Sequence, residues 1–301
     1  MTVTNSGVSG ISVSSGVLAA SFVPELGMVG TSLRYRGAEL LALPGGTAGY
    51  RAGRVTGLPL LAPWANRLGA RRYEVDGVAV DLEALALPTD EHGLPIHGTM
   101  TAQPGWQVAR IDARSLVALF DYGARRDLLA SFPFPHTLRM AVTVEAATLR
   151  LATTLSPTSP RAVPVAFGYH PYVRLPGVRR EEVALRLPPR RHLELDDRRL
   201  PTGADRLEPA EDGPLGTRAF DDLYELGDDR RLVLRGGGRR LTLWLGAGYR
   251  WAQVFAPPDA DYVCLEPMTA PVNALVDGGY SLATAGAPFT AEFTVRVQDD
   301  G

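Results

Sequence analysis

The sequence predicts an all-β fold, specifically a large antiparallel β-sandwich with few short helices. Three observations support this prediction: short runs of alternating apolar and polar residues, turn residues between those runs, and no long stretch with helical periodicity. Alternation with a period of two is typical of strands that bury one face. No shift in composition marks a linker, so we expect residues 1–301 to form a single domain.

The predicted strands follow one another along the chain. The alternating runs are residues 16–23, 32–37, 138–155, 182–188, 231–246 and 291–297. Two runs contain an internal turn, Ala146-Ala147 in one and three glycines at 236–238 in the other, and each predicts a β-hairpin. Residues 194–216 are polar, rich in proline and glycine, and lack alternation, which predicts a long surface loop.

Composition excludes several classes of protein. The formal net charge of -2 gives no basic field for nucleic acid or a membrane surface. Arginine pairs such as Arg230-Arg231 and Arg239-Arg240 are short, and we interpret them as solvated turn positions. All 31 basic residues are arginine, which excludes chemistry that needs a lysine, such as a Schiff base or a P-loop.

The expected location is the cytoplasm. No apolar stretch is long enough to cross a bilayer, and the first residues do not have the pattern of a signal peptide. The single cysteine, Cys264, cannot form an internal disulfide, which fits a reducing compartment.

Three residues stand out as candidates for acid–base chemistry. His170 precedes a proline, which holds the backbone of the histidine in an extended conformation. His97 precedes a glycine, which permits a tight turn or the close approach of a ligand. Glu266 follows the apolar run YVCL, and a carboxylate at the end of a buried strand is costly unless it is paired or used. Burial would raise its pKa toward the range of a general base.

Further polar residues stand in apolar or alternating segments. Asn66 and Arg67 lie in an apolar segment bounded by proline and tryptophan, Asp221 and Asp222 precede an apolar stretch, and Gln253 alternates along a predicted strand. Each also has a structural interpretation, as a paired charge, a turn or cap residue, or a surface residue of a strand. Taken singly, none of them decides a function.

The remaining histidines do not predict a metal site. His136 and His192 are interpreted as structural or surface residues. The spacing of His92 and His97 fits no established zinc pattern, and the only cysteine is distant in the chain. Neither a dinucleotide fingerprint nor a nucleophile elbow is found, so we expect no cofactor.

In order, several segments resemble the aldose 1-epimerase (galactose mutarotase) family. They are PWANRLG, IHGT, FGYHPYVRLPG, LPTG, FDDLYEL, AQVF and CLEPMTAPVNAL, from about residue 55 to the C-terminal region. The resemblance implies a galactose mutarotase-like supersandwich with a sugar cleft on one face. Met268-Thr269 is similar to a bacterial subgroup, and residues 271–274 depart from the pattern frequent in the family, which leaves the preferred sugar open.

The resemblance also implies residue roles. Glu266 matches the general base, His170 the general acid, and His97 the second histidine of the active site, near the ring oxygen. The implied sugar-binding residues are Asn66, Arg67, Asp221 and Gln253, with Asp222 as the alternative to Asp221. An aromatic face for the sugar would come from Trp64, Trp106, Trp251 or Tyr172.

The sequence therefore predicts an isomerase that interconverts the α and β anomers of a free aldohexose, as a monomer or homodimer whose partner is the sugar. Three alternatives stay open. They are a non-catalytic sugar-binding module, a glycoside hydrolase or lyase on a similar sandwich, and an epimerase for a phosphorylated or sulfonated sugar.

Overall fold

The computed structural model describes residues 2–3 and 9–300, and strands dominate it. In chain order the strands are β1 (Thr2–Val3), β2 (Ser9–Ser14), β3 (Leu18–Val23), β4 (Val29–Tyr35), β5 (Ala38–Glu39), β6 (Leu60–Leu61), β7 (Arg72–Val75), β8 (Val78–Asp81), β9 (Gln107–Ile111), β10 (Ser115–Asp121), β11 (His136–Glu145), β12 (Thr148–Pro157), β13 (Val163–Val165), β14 (Gly168–Tyr169), β15 (Tyr172–Val173), β16 (Ala184–Leu187), β17 (Arg190–Leu195), β18 (Pro201–Glu208), β19 (Glu211–Pro214), β20 (Phe220–Leu226), β21 (Arg231–Gly236), β22 (Arg239–Leu245), β23 (Trp251–Ala256), β24 (Val263–Met268), β25 (Ser281–Ala283) and β26 (Phe289–Asp299).

Helices are few and short over the same residues. They are α1 (Gly46–Arg51), α2 (Arg126–Leu129) and α3 (Ala274–Asp277), with 3-10 turns at Pro24–Leu26 and Arg180–Glu182. An all-β fold with few short helices, as predicted, is therefore confirmed.

Two large antiparallel sheets form the sandwich. One has nine strands in the order β19-β16-β21-β22-β26-β12-β11-β10-β9. The other has the order β18-β17-β20-β23-β24-β14-β6, and β15 also pairs with β24. Smaller sheets complete the described fold: the N-terminal strands β1 to β5, the hairpin β7-β8, and the pair β13-β25.

The core lies between the two large sheets because alternate side chains point inward. On β23, Ala252 and Val254 belong to the same buried cluster as Leu151 and Phe293 of the nine-stranded sheet. The residue between them, Gln253, therefore points to the opposite face of its sheet. The candidate site described below lies on that opposite face.

Both predicted hairpins are present. Strands β11 and β12 pair in register from Glu145 opposite Thr148. Strands β21 and β22 pair up to Gly236 opposite Arg239, so Gly237 and Gly238 form the turn with φ of 56° and 68°. A two-residue hairpin turn with two positive φ angles favours glycine at both positions.

The predicted loop at residues 194–216 is wrong. Pro201–Glu208 forms β18 and Glu211–Pro214 forms β19, each at the edge of a large sheet. Residues 202–207 of β18 are all exposed, so neither face of that strand is buried. Because burial of one face is what imposes alternation in hydrophobicity, this strand shows none. Its sequence therefore resembles that of a loop.

The arginine pairs interpreted as turn positions are also partly wrong. Arg231 begins β21, and Arg239 and Arg240 begin β22, so these side chains are held in regular strands. Leu232 and Leu241 are fully buried on the faces opposite Arg231 and Arg240. Arg231 and Arg240 are thus polar positions of the alternating pattern.

Candidate active site

His170 and Glu266 come together because of strand register. Gly168 pairs with Met268 and Tyr172 pairs with Cys264, so His170, midway between the two pairs, lies opposite Glu266. The His170 Nε2 atom is 3.2 Å from Glu266 Oε1, and both side chains are buried. Directly opposed residues of an antiparallel pair are the closest neighbours across two strands. The two candidates for acid–base chemistry are therefore in contact.

Gln253 extends this row into β23, and Asp221 lies diagonally across from Gln253 on β20. Gln253 pairs with Glu266 in the next strand, and its Nε2 donates a 2.7 Å hydrogen bond to Asp221 Oδ1. Asp222 faces the other way, where its Oδ1 lies 3.3 Å from His192 Nε2. Of the two aspartates that the sequence left open, Asp221 is therefore the one beside His170 and Glu266.

Asn66 and Arg67 lie on a tight segment outside the sheet. Arg67 Nε donates a 2.7 Å hydrogen bond to Asp90 Oδ2, and Arg67 Nη1 donates to Asn66 Oδ1 at 3.2 Å. Asn66 has a φ of 58°, a region that asparagine tolerates better than most residues. The Arg67–Asp90 ion pair is buried, with 9% and 2% of the side chains exposed. The Arg67 guanidinium is thus held in one orientation, and the Asp90 carboxylate neutralises its charge.

Asn273 braces the same segment, a role that the sequence analysis missed. Its Oδ1 accepts a 2.6 Å hydrogen bond from the backbone N–H of Gly69, and its own backbone N–H donates to the carbonyl of Arg67 at 3.0 Å. No local signal could have revealed this contact, because 204 positions separate Gly69 from Asn273.

His97 occupies a strained turn whose conformation depends on Gly98. The φ angles of His97 and Gly98 are 62° and 66°. A Cβ atom at position 98 would lie 2.1 Å from the carbonyl oxygen of Ala62, so only glycine fits there. The His97 ring meets the His170 ring edge to face, with 5.4 Å between centroids. Strain of this kind is often found at functional sites.

These residues line one cavity of about 180 Å³. Its lining is Asn66, Arg67, Ile96, His97, His170, Tyr172, Asp221, Gln253, Phe255 and Glu266. All seven residues that the sequence analysis assigned to catalysis or sugar binding are present. Pockets for drug-sized ligands measure about 300–1,000 Å³, so this one suits a smaller ligand.

Two aromatic side chains contribute to the lining. Tyr172 stacks on His170, with centroids 4.6 Å apart and an angle of 13° between the rings. Phe255 was missed, although it lies two residues after Gln253 and hence on the same face of β23. Trp64 and Trp106, offered as alternatives by the sequence, are buried in the main core and do not line the cavity. Trp251 packs in a smaller apolar cluster beside the site.

One further charged residue lies beside the cavity. Arg199, in the turn between β17 and β18, places its Nε 3.5 Å from Asp221 Oδ2. Its φ of 62° is unusual for arginine, and nothing in the local sequence predicts the contact. Asp221 is thus held between Gln253 and Arg199.

Burial acts in opposite directions on the two opposed groups. It raises the pKa of the Glu266 carboxyl well above its usual value, and the negative charge of Asp221 adds to this effect. Burial also lowers the pKa of His170 to about 3. The pKa of His97 falls well below its usual value, because of burial and then the nearby His170 and Arg67. Over a wide pH range the Glu266–His170 pair therefore holds one proton.

Four buried polar atoms of the residues that line the cavity have no hydrogen-bond partner among residues 2–3 and 9–300. They are His97 Nδ1, His170 Nδ1, Gln253 Oε1 and Glu266 Oε2. Buried polar groups are nearly always paired, and leaving one unpaired costs about 1–3 kcal/mol. A ligand rich in hydroxyl groups can donate to and accept from such atoms, so the lining suits a small polyol.

The fold and the cavity together define an all-β protein with an acid–base pair in a small polar pocket. The chain belongs to the aldose 1-epimerase family, whose model matches residues 21–281. Membership of this family makes the chain an isomerase and confirms both the family and the class of enzyme that the sequence predicted.

Several solved structures share the fold. A galactose mutarotase-like protein from Clostridium acetobutylicum has a TM-score of 0.84 at 18% identity, over 96% of this chain and 95% of that one. The GalM/aldose epimerase homologue from C. elegans has a TM-score of 0.81 at 15% identity, over 97% and 99%. Galactose 1-epimerase from Lactobacillus acidophilus NCFM has a TM-score of 0.75 at 13% identity, over 97% and 95%. No curated protein matches the chain in sequence.

None of the helices in the described part of the chain has the length and apolar character needed to span a membrane.

Proposed function

We propose that this chain is an aldose 1-epimerase that interconverts the α and β anomers of a free aldohexose in a single β-sandwich domain. The observation that carries the proposal is the 3.2 Å contact between His170 and Glu266 inside a small polar cavity. Anomer exchange needs one group at the anomeric hydroxyl and another at the ring oxygen. These two oxygens are bonded to the same carbon, so an adjacent acid and base can reach both.

The proposed reaction moves two protons in opposite directions. The Glu266 carboxylate takes the proton of the anomeric hydroxyl while the His170 imidazolium gives a proton to the ring oxygen. The bond from C1 to the ring oxygen breaks and the C1 carbonyl forms. The open chain rotates about its C1–C2 bond, and the reverse transfers close the ring on the other face. Positioned acid and base groups typically contribute about 10²- to 10⁴-fold each.

The single shared proton fits both halves of this cycle. Ring opening starts from Glu266 ionised and His170 protonated, and it ends with Glu266 protonated and His170 neutral. Burial favours the second, uncharged arrangement in the empty cavity. Because the two side chains are in contact, a proton can pass from Glu266 to His170. This transfer produces the ionised base and the protonated acid that ring opening of a cyclic sugar requires.

The remaining residues would hold the sugar while it rotates. Asp221 and Gln253 are positioned by their mutual hydrogen bond, and His97 stands beside His170. Oriented binding of this kind keeps the open chain in reach of the catalytic pair. Tyr172 and Phe255 supply the apolar surface of the pocket.

The charges of the lining favour an uncharged sugar over a phosphorylated or sulfonated one. Arg67 is already paired with Asp90, and the acidic groups of the lining are Asp221 and Glu266, neither of which attracts an anion. Arg199, beside the cavity, contacts Asp221. No unpaired cation among the lining residues is therefore available to an anionic substituent.

Polarimetry of freshly dissolved α-glucose and α-galactose tests the proposal. The parent protein should accelerate the approach to anomeric equilibrium, and His170→Asn should lose most of that acceleration. His192→Asn is the matched control, because His192 contacts carboxylates outside the cavity. A parent that binds sugar but leaves the rate unchanged would indicate a binding module. Release of reducing ends from an oligosaccharide would indicate a hydrolase or lyase.

A further inference from the structure

A second concave surface lies on the outer face of the nine-stranded sheet, away from the core and from the sugar pocket. It has a volume of about 470 Å³, and five arginines line it: Arg186, Arg231, Arg235, Arg240 and Arg296. We refer to these five residues and the surface between them as the arginine basin. Nothing in the proposed reaction uses it.

The register of four neighbouring strands places two short side chains between two arginines in the basin. Arg186 pairs with Val233, Val233 with Thr242, and Thr242 with Arg296, so one row crosses four strands. Val233 and Thr242 form the floor, and an arginine stands at each end of the row. Adjacent strands are about 4.8 Å apart, which separates the backbones of Arg186 and Arg296 by roughly 14 Å.

Two of the arginines face each other directly. Arg235 pairs with Arg240 in the neighbouring strand, and both side chains line the basin. Like charges directly opposite each other destabilise a sheet. A bound anion would remove the repulsion between these two guanidinium groups.

The carboxylates around the basin do not balance its positive charge. Asp229 contacts both Arg186 and Arg231, at 2.9 and 2.7 Å. Asp212 contacts Arg235, and Asp300 contacts Arg240. Within the described chain no carboxylate oxygen lies within 4.0 Å of the Arg296 guanidinium. Three carboxylates face five guanidinium groups, which leaves two positive charges.

The ion pairs of the basin are exposed, so they hold the arginines only weakly. At least 30% of each of the four paired arginine side chains is accessible to solvent. Exposed pairs contribute about 0–1 kcal/mol, because water screens them and two side chains must be ordered. Each guanidinium can therefore turn toward a multivalent anion with little loss.

We propose that the arginine basin binds a small ligand that carries two or more linked phosphate groups. Guanidinium groups bind phosphate oxygens through two parallel hydrogen bonds, and five of them surround one floor. The surplus of two charges favours a multivalent anion over a single one, and the 14 Å row suits linked groups rather than one compact ion. The basin volume of about 470 Å³ accommodates a small ligand of this kind.

Titration calorimetry with tripolyphosphate at low ionic strength tests this inference. We expect one saturable site, about tenfold weaker binding for Arg296→Gln and for Arg240→Gln, and weaker binding of orthophosphate at equal ionic strength. Arg139→Gln is the matched control, because Arg139 is an exposed arginine of β11 in the same sheet but outside the basin. Added salt should weaken binding through screening.

Three results would overturn the inference: no saturable binding to the parent protein, an Arg139→Gln loss equal to that of Arg296→Gln, or equal affinity for orthophosphate and tripolyphosphate. Thermal unfolding of each variant checks that it is folded. Mutarotation by Arg296→Gln should equal that of the parent protein, because the basin and the sugar pocket lie on opposite faces of the sandwich. The two proposals can therefore fail independently.

Discussion

Replacing Glu266 by glutamine should separate the activity of this protein from its stability. The side chain is 2% exposed, and the change keeps its shape while it removes the proposed proton acceptor. Loss of a positioned base lowers the catalysed rate by about 10²- to 10⁴-fold, which equals about 3 to 5 kcal/mol of activation free energy.

The same change should stabilise the fold at neutral pH. Because the folded state raises the pKa of Glu266, it binds a proton more tightly than the unfolded state does. The free energy of unfolding of the parent protein therefore falls as pH rises above the unfolded value of about 4.3. Glutamine cannot ionise, so Glu266→Gln should match the parent at low pH and exceed it at higher pH.

Polarimetry and denaturant unfolding at several pH values measure the two effects on the same samples. The expected pattern is a slow enzyme that is more stable than the parent at pH 8. A folded Glu266→Gln protein that equilibrates α-galactose as fast as the parent would refute the role of the carboxylate. A stability difference that does not grow with pH would refute the argument from burial.

Three further predictions concern the same pocket. Asp221→Asn should raise KM or lower kcat at least tenfold in polarimetry, whereas Asp222→Asn, on the other face of β20, should change neither; equal effects would contradict the assignment. The pH–rate profile should show no loss of activity on the acid side near pH 6.5, because the pKa of His170 is lowered to about 3; a loss centred there would contradict this. Activity should be lost on the alkaline side, where the His170–Glu266 pair gives up its single proton. Asn273→Ala should cost about 1–3 kcal/mol in denaturant unfolding by leaving Gly69 N–H unpaired, and unchanged stability would contradict the bracing role.

The strands with one buried face could be predicted from the sequence because burial imposes a period of two. Both hairpins and the all-β class follow from that pattern. Edge strand β18 could not be predicted in this way, because its exposed residues on both faces carry no alternation. The pattern also could not distinguish Asp221 from Asp222, since adjacent residues of a strand always face opposite ways and the direction depends on the partner strands.

Contacts between segments that are distant in the chain limit the prediction of the site more than missing alternation limits the prediction of the strands. The seven lining residues that the sequence predicted were found through ordered motifs, each of them local in sequence. Arg199 and Asn273 act through contacts with residues far away in the chain, and nothing in their neighbours indicates those contacts. Phe255 is different, because the period of two that places Gln253 in the pocket also places Phe255 there.

Core packing sets the geometry of the proposed acid–base pair. Val263 and Leu265 alternate with Glu266 along β24, and both are buried in the main core. A slip of one residue would move Glu266 into that core and Leu265 into the pocket, so the apolar face of β24 fixes the register. His170 meets Glu266 because β14 and β15 both pair with β24 in that register. The separation of the two groups is therefore a property of the sheet, and no flexible loop has to reproduce it.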